Sequence, residues 1–73
     1  MKKIPSRLIT TFAANLRKLR EAKGYSQEEL ANRAGLDRTY VSGCERGVRN
    51  PSLISVEKFA NALTAPAKDF FNE

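Results

Sequence analysis

Histidine is absent from this chain of 73 residues, and cysteine occurs once, at Cys44. Without histidine there is no zinc-finger ligand set and no imidazole for acid–base or nucleophilic chemistry. A lone cysteine excludes an internal disulfide and any multi-cysteine metal site, and on the inner side of a helix it reads as a small hydrophobe. No run of about 20 apolar residues is available to span a bilayer, and the amino-terminal segment lacks the apolar stretch of a signal peptide. The expectation is a cytoplasmic chain with no membrane partner. Paired carboxylates at a cleft spacing and a phosphate-cradling glycine loop are also missing, which argues against an enzyme and against any metal or cofactor.

What is present is positive charge. Lysine and arginine number 13 against 8 acidic residues, a net +5, so the chain is drawn to polyanions, among them nucleic acid and membrane surface. The excess is concentrated before Tyr25, where Lys2, Lys3, Arg7, Arg17, Lys18, Arg20 and Lys23 face only Glu21. From Ser26 to Asn50 the arginines and acids balance, so net charge does not locate a binding face.

Hydrophobic spacing predicts an all-α fold, a compact bundle of five short helices in one domain spanning residues 1–73. Ile9, Phe12, Leu16 and Leu19 recur at three and four, giving a first helix that runs to about Lys23 and stops at Gly24. Ser26 stands three residues before Glu29 and predicts a reciprocal cap for a second helix carrying Leu30, Ala31 and Ala34 inward. Gly35 supplies positive φ at its end, Leu36 pins the corner, and Asp37 is placed to cap a third helix with Val41 and Cys44 inward. A fourth helix starts at Pro51 or Ser52, with Leu53, Val56, Phe59, Ala60 and Leu63 inward. A short last helix, about 66–72, opens near Pro66 and carries Phe70 and Phe71.

Once those core positions are assigned, Arg38, Thr39, Ser42 and Arg46 remain on the outer side of the third helix. They form either an ordinary solvated face or a reading face. The corner favours the second: two small alanines, a glycine and one apolar pin let a helix stand out far enough to enter the major groove, which is about 12 Å wide.

These residues carry a resemblance. Residues 12 to 63 resemble the Cro/repressor-type helix-turn-helix family of phage and bacterial regulators, through Gln27, the alanines, Gly35, Glu45, Gly47 and Pro51 at matching spacings. Within that stretch, LDRTYVSGCERGVRNPSL (Leu36 to Leu53) resembles the controller proteins of restriction–modification systems. The resemblance implies a dimeric transcription regulator whose partner is double-stranded DNA, with the helix-turn-helix in helices 2 and 3. An antitoxin or a phage-type repressor is the near alternative. A protein-binding adaptor without sequence-specific DNA binding is the alternative of another class.

Roles follow from reach and from the matching positions. Arg38 occupies a family base-reading position, and its fork suits guanine O6 and N7. Thr39 and Ser42 reach a base edge only if the helix lies deep, and Gly43 would permit that depth. Gln27, at the first turn of the second helix, matches the glutamine that docks the DNA backbone, and its neighbour Ser26, the cap, is expected on the backbone with it. Tyr40, Arg46, Arg49 and Asn50 flank the reading face where the family contacts phosphate; Arg49 is also within reach of a base or the minor groove, and Tyr40 could equally cover the core edge. The resemblance implies that Arg20 and Glu45 form a structural ion pair, the alternative being an exposed Arg20 on phosphate.

A reading helix covers few base pairs, so specificity needs two in a homodimer. Phe70 and Phe71 are the expected interface, since adjacent aromatics on a short helix cannot both enter one small core. An activator would also touch RNA polymerase, for which Glu28, Glu29 and Arg33 on the outer side of the second helix are candidates. Relative to the family, Thr64 replaces a helix-ending glycine, Pro66 a Ser or Thr cap, and Ala67 a larger apolar residue.

Overall fold

A computed structural model describes residues 6–73; Lys2 and Lys3 lie outside the described residues. Four α-helices are followed by a single 3-10 turn: α1 Arg7–Ala22, α2 Gln27–Ala34, α3 Arg38–Glu45, α4 Leu53–Leu63, and the turn Ala67–Phe70.

The starts of α1, α2 and α4 are set by hydroxyls. Ser6, Ser26 and Ser52 each hold extended backbone, and each accepts a hydrogen bond from the N–H three residues on, at Ile9, Glu29 and Ser55. Such a cap satisfies one of the four orphan donors at a helix start and is worth about 1 kcal/mol. Two expected details differ. The Glu29 carboxylate accepts from Arg33 Nε at 2.7 Å rather than turning back to Ser26, because that donor lies one turn along the same face. Asp37 stands at the cap position of α3, but its side chain makes no capping hydrogen bond.

The corner between α2 and α3 follows the residues. Gly35 sits at φ +69°, which lets Leu36 N–H return to the Ala31 carbonyl at 2.9 Å. Leu36 then packs against the core. At the end of α4 the same left-handed conformation is taken by Thr64 at φ +52°, a residue with a branched Cβ, and Ala65 N–H closes on the Ala60 carbonyl at 3.0 Å.

The core is one cluster in which Phe12, Leu16, Leu30, Val41, Phe59, Leu63 and Phe70 are essentially fully buried. Phe12 sits at its aromatic centre, with ring centroids 5.4 Å from Phe70, 6.0 Å from Phe71 and 6.1 Å from Phe59. Cys44 is buried among these side chains, and burial pushes its thiol above the ordinary range, outweighing the opposite pull of Tyr40 and Arg49.

Three expectations need correcting. The last helix is a 3-10 turn of four residues rather than a helix over 66–72. Asn15 Nδ2 on α1 donates to the carbonyls of Phe70 at 2.9 Å and Asn72 at 2.8 Å; the chain end is tied across α1 instead of winding on. Phe70 belongs to the protomer's own core at 0% exposure, whereas Phe71 is 36% exposed, so only Phe71 is left for a partner. Leu53 is 84% exposed rather than inward: as the first residue of α4 it overhangs an apolar groove lined also by Leu8, Ile9, Pro51, Val56 and Phe71.

Candidate nucleic-acid interface

The α2–α3 corner is held from beneath by a charged cluster. Arg20 on α1 meets Glu45 at the end of α3 in a two-pronged pair, Nε to Oε2 at 2.6 Å and Nη2 to Oε1 at 3.0 Å. The third guanidinium edge donates to the Tyr25 carbonyl at 2.8 Å. Their side chains are 12% and 4% exposed. Hydrogen bonding to the carboxylate drives the Arg20 pKa up against the cost of its burial. With three of its nitrogens so engaged, Arg20 is a buried strut between helices rather than an exposed contact.

Gln27 joins this cluster. Its Nε2 donates to Glu45 Oε1 at 3.1 Å, so the residue expected to dock DNA backbone is aimed by the same carboxylate that holds Arg20. One amide N–H is committed to Glu45 and a second remains for a phosphate oxygen. Ser26, Gln27, Glu28 and Arg38, with Arg20 at the floor, line an open depression where the starts of α2 and α3 come together. The first turns of α2 and α3 thus lie beside one another with Arg38 at the rim, and the positive end of a helix dipole favours an anion nearby.

On α3, Arg38 and Thr39 are exposed and Ser42 is half-buried; Arg46, just beyond the helix, and Arg49 and Asn50 in the following loop are exposed. The structure thus brings Arg38, Thr39, Ser42 and Arg46 to one side, opposite Val41 and Cys44. Tyr40 is half-buried. Its ring stacks on Phe59 with centroids 6.4 Å apart and planes at 11°, and its hydroxyl donates to Ser55 Oγ at 3.0 Å. The core-edge alternative describes its ring. Ser55 itself, 8% exposed, was not legible in advance; the signal was a second serine three residues after the Ser52 cap. Gly43 does not leave a bare strip of helix: the space beside it holds the Arg49 side chain.

Around the corner, Arg33 is paired with Glu29 and lies 4.4 Å from the Tyr25 ring centroid. Among the described residues no group of His, Cys, Asp and Glu is placed to hold a metal ion, and no helix is long and apolar enough to cross a membrane.

Two helices meeting at a glycine corner, the second presenting long cationic and short hydroxyl side chains outward, define a helix-turn-helix protein. The chain belongs to the helix-turn-helix family, whose model matches residues 16–70. It is 52% identical over 60 residues to a Neisseria meningitidis serogroup B protein described as a hypothetical transcription factor, a match covering 82% of this chain and 57% of that one. The restriction–modification controller C.AhdI from Aeromonas hydrophila is 51% identical, with a TM-score of 0.84 over 86% of this chain and 96% of that one. The controller C.Esp1396I, solved as a tetramer in complex with its natural 35 base-pair operator, is 39% identical with a TM-score of 0.83, covering 90% of this chain and 87% of that one. The chain is homologous to these controllers.

Proposed function

We propose that the chain is a sequence-specific regulator of transcription that binds double-stranded DNA as a homodimer at a palindromic operator, in the manner of a restriction–modification controller. One observation carries the reading: the exposed face of α3, with Arg38 and Thr39 at its start, adjoins the α2 terminus where Glu45 aims Gln27. Arg38 reads a base, with Thr39 and Ser42 alongside it. Gln27, Ser26, Arg46, Arg49 and Asn50 hold the phosphates, and Tyr40 supports the face from the core side.

The likeness to a controller solved on its operator supports duplex DNA as the ligand. Its assembly supports a dimer here, with a second copy covering the groove of Leu8, Leu53 and Phe71 and the two α3 helices about 34 Å apart. The action is binding, in the cytoplasm, with no catalytic step. In an activator, α2 turns Glu28, Glu29 and Arg33 toward RNA polymerase.

Selection from a random duplex pool tests this. Recovery of a palindrome supports the reading and returns its half-site spacing. Weak, salt-sensitive binding without sequence preference would leave the adaptor alternative instead.

A further inference from the structure

Three of the four glycines hold positive φ, at Gly24, Gly35 and Gly47; Gly43 does not. In the middle of α3 the backbone therefore makes no demand for glycine, and alanine there would favour the helix. What requires the missing side chain is space. A Cβ built at Gly43 would fall 2.6 Å from Arg49 Cγ and 3.2 Å from Arg49 Nε. Gly43 is buried although it shares a side of α3 with Thr39, Ser42 and Arg46, because the Arg49 stem lies on it.

The far end of Arg49 is also placed. Its Cζ lies 5.6 Å from the centroid of the Tyr40 ring, within the range of a cation–π contact. That ring is backed by Phe59 and tied through its hydroxyl to Ser55, so it is a fixed surface. We infer that Gly43 and Tyr40 form a seat that holds Arg49 against α3 before DNA arrives, and that Gly43 is a positioning residue for DNA binding through Arg49. An arginine loses much rotamer freedom when it is fixed on a ligand, and a stem already seated loses less. The inference rests on the DNA-binding reading above.

A double-mutant cycle on the full chain tests it, read with the duplex enriched from the random pool. Gly43→Ala is expected to weaken binding about tenfold while its Tm rises by a few degrees. Arg49→Ala is expected to lose about as much, and the double variant no more than either alone. Additive losses would overturn the seat, since DNA would then touch the α3 backbone at Gly43 directly; so would a Gly43→Ala protein that binds like the parent. In the unaltered protein, nuclear Overhauser contacts between the Gly43 Hα and Arg49 Hγ protons must be present, and their absence overturns the seat whether or not any variant folds. A protein that binds no duplex yet shows those contacts retires the DNA-binding reading and leaves the seat standing.

Discussion

Arg20 and Glu45, 25 residues apart in sequence, share two hydrogen bonds at 2.6 and 3.0 Å with both side chains nearly closed to solvent. The pair joins α1 to the end of α3, and through Gln27 it also reaches α2.

Glu45→Ala is expected to cost about 3–5 kcal/mol, because it leaves the Arg20 charge buried without its partner. A domain this small has a total stability of about that size. Circular dichroism melts should show a largely unfolded chain near room temperature. A variant that melts with the parent would show that the pair holds nothing together.

Thr64 gives a change in the opposite direction. A residue with a branched Cβ at φ +52° is strained, and its side chain is exposed, so removing it forfeits little burial. Thr64→Gly should stabilise the fold by about 0.5–1 kcal/mol, the relieved strain being partly offset by glycine's larger loss of backbone freedom. Calorimetry should record a Tm higher by about 2–6 °C.

Burial raises the Cys44 thiol pKa in the folded state, which fixes the sign of a pH effect. Below the unfolded value of about 8.5 both states keep the proton and the stabilisation is fully present. As pH rises above it, the unfolded chain releases the proton first and folding stability falls. The stability gap between the parent and Cys44→Ala should therefore narrow from pH 7 to 10 in urea titrations. Alkylation by iodoacetamide at neutral pH should be slow until the chain is unfolded.

Base reading and backbone docking predict different losses. Arg38→Ala should cost about 1–3 kcal/mol on the selected duplex and relax preference at one base pair, whereas Arg46→Ala should weaken all sequences alike and lower the salt slope by about one. Fluorescence anisotropy on selected and random duplexes over a salt series separates them. Equal losses for Arg38→Ala on both duplexes would contradict its assignment.

The apolar groove predicts an assembly effect. Leu53→Asp places a charge where Leu53 stands 84% exposed beside Phe71, so the isolated protomer should fold unchanged while a dimer is lost. Sedimentation equilibrium should give the monomer mass, and DNA binding should weaken as the two half-sites are no longer bound together. A dimer of unchanged affinity would move the interface elsewhere.

The helix-turn-helix was readable from the chain because its determinants are local. Ser26, through its hydroxyl, and Gly35, through its backbone, bracket α2, and Leu30 with Ala34, then Val41 with Cys44, recur at helical spacing. Elsewhere local rules gave the wrong side. Leu53 shares the period of Val56 and Ala60, but a period says which residues face one way, not whether another element lies opposite the end of the helix. Phe70 and Phe71 were indistinguishable as neighbours until Asn15 captured the carbonyls around them and turned one ring inward.

The boundaries of α1 to α4, the glycine corner and the outward set Arg38, Thr39, Ser42 and Arg46 were thus determined by residue order alone, since each depends on contacts within a turn or two. Only the tertiary structure decided that Glu45 serves Arg20 and Gln27 together, that Ser55 receives Tyr40, and that Gly43 makes room for Arg49. Those relations join segments whose separation in space is set by how the helices pack around Phe12, and no spacing along the chain encodes that distance.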